Sequence, residues 1–593
     1  MPPTKKNGEA KKNGRRLATQ QSVNTAIKAI CDIMRRSNCA GALQYVPELS
    51  WILFLRILDE REAREADEAE AVGQVYAPSV EPPYRWRDWA APNSDKRFSL
   101  QQMGGLDSFM KFVNGEALPY LRGLRDRPDA SPRQKVIGEI MASVEKVRID
   151  TERNFCDVLD KVDDIHDETI DTTHVFPLSQ VYEGLLLKMG EKSNDGGQFF
   201  TPREVIRAMV RVIDPRPGET VYDPGCGTGG FLAQAYEHMR DKFEAGATGD
   251  QVEALKRGTF YGREKDNLIY PVALANLVLH GIDQPNLWHG NTLTGGEVYG
   301  GLFEGAPSHF RVILSNPPFG GKEGKGAQIG FDYQTSATQV LFLQHVIAAL
   351  EPEKPGQPGG RCGIVLDEGV LFRTNESAFV KTKRKLLDDC DLWCILSLPG
   401  GVFSAAGAGV KTNLLFFTKG QPTERIWYYD LSDIKVGKKT PFTIDRFQNF
   451  FDLLPTRADS ERSWTLDLAA RREAARSRSA PLRAEAEEKA AEALTLRDRV
   501  KDLRRASPLH LDEIAALEAG AAALAKDANE RRNKAQAIDD AVYDLKAVNP
   551  NAKAAADNRT PEELLDLIVA KGREVAEALA TLRAALERPS GIG

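Results

Sequence analysis

Val221-Tyr222-Asp223-Pro224-Gly225-Cys226-Gly227-Thr228-Gly229-Gly230-Phe231 is the stretch that decides the fold. An apolar strand ends at an acid, a glycine-rich turn follows and a helix opens. Glycines let the backbone approach a ligand closely, and the first turn of a helix carries free N–H donors. Gly225, Gly227 and Gly230 also satisfy the dinucleotide spacing G-x-G-x-x-G, a weak signal on its own.

Working outward, short apolar runs alternate with helical stretches from about 175 to 455. The strand candidates are Thr220–Asp223, Thr259–Glu264, Leu287–His289, Val312–Ser315, Gly363–Leu366, Leu392–Leu398 and Asn413–Thr418. Long helices between several of them imply βαβ units and a mostly parallel, Rossmann-like α/β sheet. Such sheets bind ligands beyond the carboxyl ends of their strands. A nicotinamide site expects an acid about 20 residues after the glycine turn. Here the next strand ends at Glu264, roughly twice as far along. Asp223, inside the turn, would repel a pyrophosphate but attract the cationic methionine moiety of S-adenosylmethionine.

Arg311-Val312-Ile313-Leu314-Ser315-Asn316-Pro317-Pro318-Phe319 is a strand running into an Asn-Pro-Pro-Phe turn. Consecutive prolines stiffen the turn and remove donors, leaving carbonyls exposed. The Asn316 side-chain oxygen and the Pro317 carbonyl can both accept from one amino group. The exocyclic amine of a base is a poor nucleophile because its lone pair is delocalised into the ring. Two acceptors placed around it bias the nitrogen toward tetrahedral geometry and aim the lone pair at a methyl donor. Phe319 offers a face for a planar ring. The plain alternative, a proline turn with Asn as a cap, loses force beside a glycine turn in the same sheet.

These two motifs, in this order, resemble the amino-methyltransferases that use S-adenosylmethionine. Gly197-Gln198-Phe199-Phe200-Thr201-Pro202-Arg203-Glu204-Val205 narrows the likeness. It resembles the cofactor motif of modification subunits of type I restriction–modification systems. Tyr261-Gly262-Arg263-Glu264, His289-Gly290-Asn291-Thr292-Leu293, Gly363-Ile364-Val365-Leu366, Leu398-Pro399-Gly400-Gly401-Val402-Phe403 and Lys411-Thr412-Asn413-Leu414-Leu415-Phe416-Phe417 extend it. The likeness spans roughly 20 to 450.

The resemblance implies methyl transfer to adenine N6 in double-stranded DNA, with Asn316, Pro317, Pro318 and Phe319 as the catalytic turn. Gln198, Phe199, Phe200, Thr201 and Pro202 line the methionine end of S-adenosylmethionine. Asp223, Gly225, Gly227, Thr228, Gly229 and Gly230 cradle its backbone. Glu264 takes the ribose hydroxyls, and Asn291 with Thr292 meets the adenine. Locally, Thr201-Pro202-Arg203-Glu204 reads as a capping box with Thr201 at N-cap. No general base is needed, because the amine becomes acidic as it gains the methyl group, and no metal is expected. The target atom lies inside a duplex, so the base must be flipped out. The run Gly320–Gly326 fails the P-loop pattern and reads as a loop that orders over DNA, or as a surface loop of no special role. The implied partners are a specificity subunit that reads the DNA, a second modification subunit and, further out, a restriction subunit. Two other readings of the chemistry compete with it: amino-methylation of protein glutamine or RNA, and a cofactor-binding scaffold without catalysis. A nicotinamide oxidoreductase leaves Asn-Pro-Pro-Phe unexplained.

Helical regions flank the sheet. Residues 1–18 form a basic tail expected to be disordered, and 19–170 read as an N-terminal helical domain. Within it, Trp51–Leu58 is apolar nearly all round, as in a buried helix, and runs into a charged continuation. Residues 171–460 read as the methyltransferase domain and 461–593 as a helical coiled-coil region. One heptad seam runs Ile514, Leu517, Ala521, Leu524, Ala528, Arg531, Ala535, Ile538, Val542, Leu545; a second runs Leu565, Ile568, Gly572, Val575, Leu579, Leu582, Leu586. Thr560-Pro561-Glu562-Glu563 opens the second as a capping box. The break at Asn549-Pro550-Asn551 permits the two to fold back on each other, or to pair with another chain.

Composition bounds these readings. The 593 residues are 42% hydrophobic and 28% charged, which fits a folded globular protein. No apolar run reaches the length of a membrane span, and the basic N-terminus lacks a signal peptide's apolar core. Seven scattered cysteines make no disulfide framework and suit a reducing cytoplasm. A net charge of -6 does not announce a nucleic-acid binder, which agrees with delegating DNA recognition to a partner.

Overall fold

The protein's computed structural model describes residues 20–37, 39, 42–103, 105, 107–164, 201–243, 247–403, 411–437, 440–505, 511–546, 548–551 and 560–586. The basic tail 1–18 and the junction around residue 170 lie outside the described residues. Each expected strand forms: β1 Val221–Asp223, β2 Phe260–Glu264, β3 Asn286–Asn291, β5 Val312–Ser315, β6 Arg361–Asp367, β7 Cys390–Ser397 and β8 Thr412–Lys419. Three more join them: β4 Gly296–Tyr299, β9 Arg425–Asp430 and β10 Ser463–Asp467. The sheet order is β10-β9-β7-β8-β6-β5-β1-β2-β3-β4.

Strands β3, β2, β1, β5 and β6 are parallel neighbours. β8 runs antiparallel between β6 and β7, while β4 and β10 close the two edges antiparallel. The chain leaves β1 toward β2 on one side and later returns to β5 on the other. This is the switch in strand order beside which α/β sheets bind their ligands. β1 and β5 are buried throughout, as strands covered by helices on both faces must be. The last strand, β10, lies beyond residue 460, where the composition turns Ala- and Glu-rich.

The N-terminal region is helical. Trp51, Ile52, Leu53, Phe54, Leu55, Ile57 and Leu58 are all buried within the helix Ala42–Ala71, whose charged half continues to Ala71. This helix packs on the helix Ile269–His280 of the sheet domain, and one apolar cluster runs from Ile30 through Phe155 to Leu274. At the rim of that contact, Asp283 pairs with both Arg61 and Arg133, and Arg61 also donates to the Val278 carbonyl at 3.0 Å.

The C-terminal region corrects one expectation. The first heptad seam does form a hairpin, but not with the second. The helix Leu511–Asp540 packs along Leu468–Arg505, burying Ile514, Ala521, Ala528 and Ala535 alongside Ala475, Ala486, Ala493 and Val500. Alanine at Ala521, Ala528 and Ala535, every seventh position, allows close helix approach. The helix Pro561–Leu586, carrying the second seam, instead exposes Leu565, Ile568, Val569, Val575 and Leu579. Its capping box is present: Glu563 N–H donates to Thr560 Oγ1 at 3.2 Å, and Thr560 N–H to Glu563 Oε2 at 2.8 Å.

Candidate active site

A cavity of about 380 Å³ opens at the carboxyl ends of β1, β2, β3 and β5. Its lining includes Thr201, Asp223, Gly225, Gly227, Thr228, Gly230, Glu264, Asn291, Thr292, Asn316, Pro318 and Phe319. Residues far apart in the chain thus converge as the sequence motifs imply. Gln198, Phe199 and Phe200 lie outside the described residues. Pro317 is buried within the turn, Pro202 stands at the N-cap position of the helix Arg203–Ile213, and Gly229 is buried at the start of the helix Gly230–Arg240.

The glycine turn is shaped by two constraints. Gly229 has φ +80°, a left-handed conformation that side chains resist, and it starts the helix Gly230–Arg240. A Cβ on Gly230 would lie 2.9 Å from Ile206 Cδ1, so any other residue there has to push that side chain aside. Two carboxylates then hold the turn. Asp223 Oδ1 accepts from Gly225 N–H at 3.1 Å and from Ser315 Oγ at 2.9 Å. Glu264 Oε2 accepts from Gly227 N–H at 2.9 Å, and its Oε1 accepts from Lys265 and Asp266 N–H, each at 2.8 Å.

Both acids are almost wholly buried, and burial pushes each carboxyl up to about 7 against the pull of those N–H donors. A neighbouring acid adds to the rise in each case: Glu264 acts on Asp223, and Asp266 on Glu264. A pocket floor carrying two such acids favours a ligand that brings positive charge and hydroxyl donors. On the third strand, Asn291 Oδ1 accepts from Leu293 N–H at 3.0 Å, which commits its oxygen to the turn. Thr292 Oγ1 donates to the Pro224 carbonyl at 2.6 Å and ties β3 to the glycine turn.

The Asn-Pro-Pro-Phe turn forms the other wall. Asn316 Nδ2 donates to Thr201 Oγ1 at 3.0 Å, while Asn316 Oδ1 is buried without a hydrogen-bond partner. Leaving a buried acceptor unpaired costs roughly 1–3 kcal/mol, so an orphan on a residue that lines a cavity marks a place for a donor. Phe319 meets Phe403 edge to face, ring centroids 5.3 Å apart.

Thr201 departs from its expected local role. The helix Arg203–Ile213 has Pro202 at its N-cap and no side-chain cap, so no capping box exists there. Proline has no N–H to receive a box, and the hydroxyl turns to Asn316 instead. The Gly320–Gly326 run is folded against the site. Glu323 N–H donates to the Ser336 carbonyl at 2.8 Å, Thr338 Oγ1 donates to Glu323 Oε1 at 3.0 Å, and Gly320 to Glu323 line the cavity.

Several site residues escape a reading of the sequence. Ser315 ends its strand one position before Asn316, without a motif to mark it. Arg203, Arg263, Lys265, Asn276, Thr338 and Phe342 also line the cavity. Gln339, buried behind the turn, donates to the Pro317 carbonyl at 3.4 Å. The helices that carry Asn276, Thr338, Gln339 and Phe342 read as ordinary apolar helices.

Comparison with known proteins places this geometry. The family model for N-6 DNA methylases matches residues 174–480, and that of the HsdM N-terminal domain matches 23–162. The chain is 34% identical over 446 residues to the methylase subunit of the type I restriction enzyme EcoEI of Escherichia coli, covering 74% of this chain and 84% of that one. It is 31% identical over 436 residues to the StySJI methylase subunit of Salmonella typhimurium, covering 71% and 74%. A crystal structure assigned as a modification subunit of a type I restriction enzyme from Vibrio vulnificus superposes with TM-score 0.65 at 33% identity, covering 76% of this chain and 93% of that one. A chain from a study of complex assembly in a type I restriction–modification system superposes with TM-score 0.62 at 31% identity, covering 97% and 100%.

Proposed function

The chain belongs to the family of type I restriction enzyme methylase subunits, and from that premise we infer how its site transfers a methyl group to adenine N6 in DNA. The observation that carries the reading is Asn316 Oδ1: a buried acceptor without a partner, on the wall of a cavity whose floor is built from two carboxylates and a glycine turn.

The residues fit S-adenosylmethionine. Bound there, it supplies an electrophilic methyl group on a sulfonium centre. Asp223 and the glycine turn would hold its amino acid end, and Thr201 lines the cavity beside them; the family resemblance assigns Gln198, Phe199, Phe200 and Pro202 to the same end. Glu264 accepts from the ribose hydroxyls through the lone pairs its three backbone donors leave free. The Asn291 oxygen is already committed, so its amide nitrogen is the group left to meet the ring, as a donor to a ring nitrogen.

The chain's own part in the reaction is to capture and aim an amine. The target adenine leaves the helical stack, a cost of a few kcal/mol, and its ring lies against Phe319. Asn316 Oδ1 and the Pro317 carbonyl accept the two N6 hydrogens. That pulls the nitrogen lone pair out of the ring's π-system and points it toward the methyl group. The proton is lost to water once the nitrogen has become cationic. Amino-methylation of protein glutamine or RNA poses the same lone-pair problem, but the family model that matches residues 174–480 is that of N-6 DNA methylases.

We place DNA reading in a specificity subunit, with a second methylase subunit in the complex and a restriction subunit as a further partner. The apolar stripe of Pro561–Leu586 is the surface that a partner's helix would cover. Seven free and buried thiols suit work in a reducing cytoplasm.

The test is transfer of labelled methyl from S-adenosylmethionine to unmethylated duplex DNA, with the product base identified. It is run with the chain alone, with its specificity subunit, and with Asn316→Ala. N6-methyladenine that requires both Asn316 and the partner is expected. Cofactor binding without any DNA product in the presence of the partner would overturn the reading.

A further inference from the structure

Two residues outside the Asn-Pro-Pro-Phe turn bond to its asparagine amide and to its first proline carbonyl. An asparagine amide has nearly the same shape with oxygen and nitrogen exchanged, yet only one orientation offers an acceptor to an incoming amine. In the other, two N–H donors would face the hydrogens of N6. Thr201 Oγ1 takes the Asn316 Nδ2 hydrogen at 3.0 Å, and with the amide so placed Oδ1 is the free atom; a hydroxyl can also donate, so this bond anchors the amide plane rather than choosing its end. The Thr201 hydroxyl has no capping duty that would compete for it.

The second oxygen is braced in a similar way. Gln339, on the helix Thr338–Ala349, is 4% exposed. Its Oε1 accepts from Asp367 N–H at 3.1 Å, and its Nε2 donates to the Pro317 carbonyl at 3.4 Å. A backbone N–H can only donate, so Asp367 decides which end of the Gln339 amide faces Pro317. The donor occupies one lone pair of the Pro317 oxygen and leaves the other for substrate.

We propose that Thr201 and Gln339 are positioning residues: Thr201 anchors the Asn316 side chain beside the target amine, and Gln339 holds the Pro317 carbonyl toward the same point. The proposal rests on the amine-capture reading above. It separates Thr201 from a purely cofactor-binding role, and it gives Gln339 a role that no motif announced.

The experiment uses the complex with its specificity subunit and a duplex carrying the target. It measures kcat under single turnover and, separately, the Kd for S-adenosylmethionine. Thr201→Val removes the acceptor and should lower kcat about tenfold, the worth of one hydrogen bond, with the cofactor Kd within about twofold. Thr201→Ser should restore kcat. An unchanged kcat for Thr201→Val, or a loss of kcat matched by weaker cofactor binding, would overturn the role of Thr201. Gln339→Glu keeps the acceptor for Asp367 but removes the donor to Pro317, and Gln339→Met removes both; each should lower kcat without weakening cofactor binding, and wild-type kcat in a folded variant of either kind would refute the role of Gln339. A wild-type complex that makes no N6-methyladenine would refute the functional reading itself, whereas an active wild type matched by its variants refutes only the positioning roles.

Discussion

Ser315 Oγ donates to Asp223 Oδ1 at 2.9 Å, joining the strand that runs into the Asn-Pro-Pro-Phe turn to the acid that opens the glycine turn, across 92 positions of sequence. The bond lies between neighbouring strands, β5 and β1, at their carboxyl ends. In the proposed reaction it couples the place of the methyl donor to the place where the amine arrives.

Ser315→Ala tests that coupling. Asp223 keeps Gly225 N–H but loses a buried donor, at a cost of about 1–2 kcal/mol. The Kd for S-adenosylmethionine should rise roughly five- to thirtyfold in calorimetry, with the fold's thermal midpoint little changed. An unchanged Kd would mean that the hydroxyl is only a packing group.

Proton uptake by the two floor acids sets a pH dependence. Asp223 and Glu264 are raised by burial to about 7, well above their values in an unfolded chain. A raised acid contributes stability that is fully present below its unfolded pKa and lost as pH rises through the folded one. The cofactor-free protein should therefore lose part of its stability between about pH 4 and 7 on account of these groups. Cofactor cation binds the ionised form better, so the thermal shift it produces should grow from pH 6 to pH 8. A shift that is flat or falls over that range would contradict the assignment of these acids to the cofactor.

Glu264→Gln should weaken cofactor binding more than it weakens the fold. The amide keeps the shape but replaces one acceptor oxygen by a donor where Gly227, Lys265 and Asp266 all present N–H groups. A loss of about 1–3 kcal/mol, or five- to 150-fold in Kd, is expected from equilibrium binding. Retained affinity would move the ribose contact to another residue.

On the exposed helix, Ile568→Asp combined with Leu579→Asp should leave methyl donor binding untouched, since both side chains are largely exposed here and far in sequence from the site. Co-purification with the specificity subunit should fall sharply, because two charges would enter an apolar contact. Full retention of the complex would assign the docking surface elsewhere.

Much of this site is legible in the order of the amino acids alone. A strand, an acid, a glycine turn and a helix are local chemistry, as is a pair of prolines after asparagine, and the apolar runs of β1, β2 and β5 are short enough to read as strands. The edge strands are harder. Gly296–Tyr299 is mostly exposed and carries no hydrophobic pattern. Arg425–Asp430 is apolar in its middle, but a run that short does not separate strand from helix. Ser463–Asp467 is too polar to stand out from the helical region that follows.

The sequence by itself determined the class of sheet, the order of the motifs and the existence of the C-terminal heptads, because each is written in the spacing of neighbouring residues. Only the tertiary structure decided the pairings. Thr201 has the local pattern of a helix cap and bonds to Asn316 instead; Gln339 has the pattern of one more helical residue and backs Pro317; the alanine seam found Leu468–Arg505 rather than the second seam. The physical reason is common to all three. A hydroxyl, an amide or a methyl group has several partners of nearly equal local merit, and the choice among them falls to whichever distant element packing brings within reach.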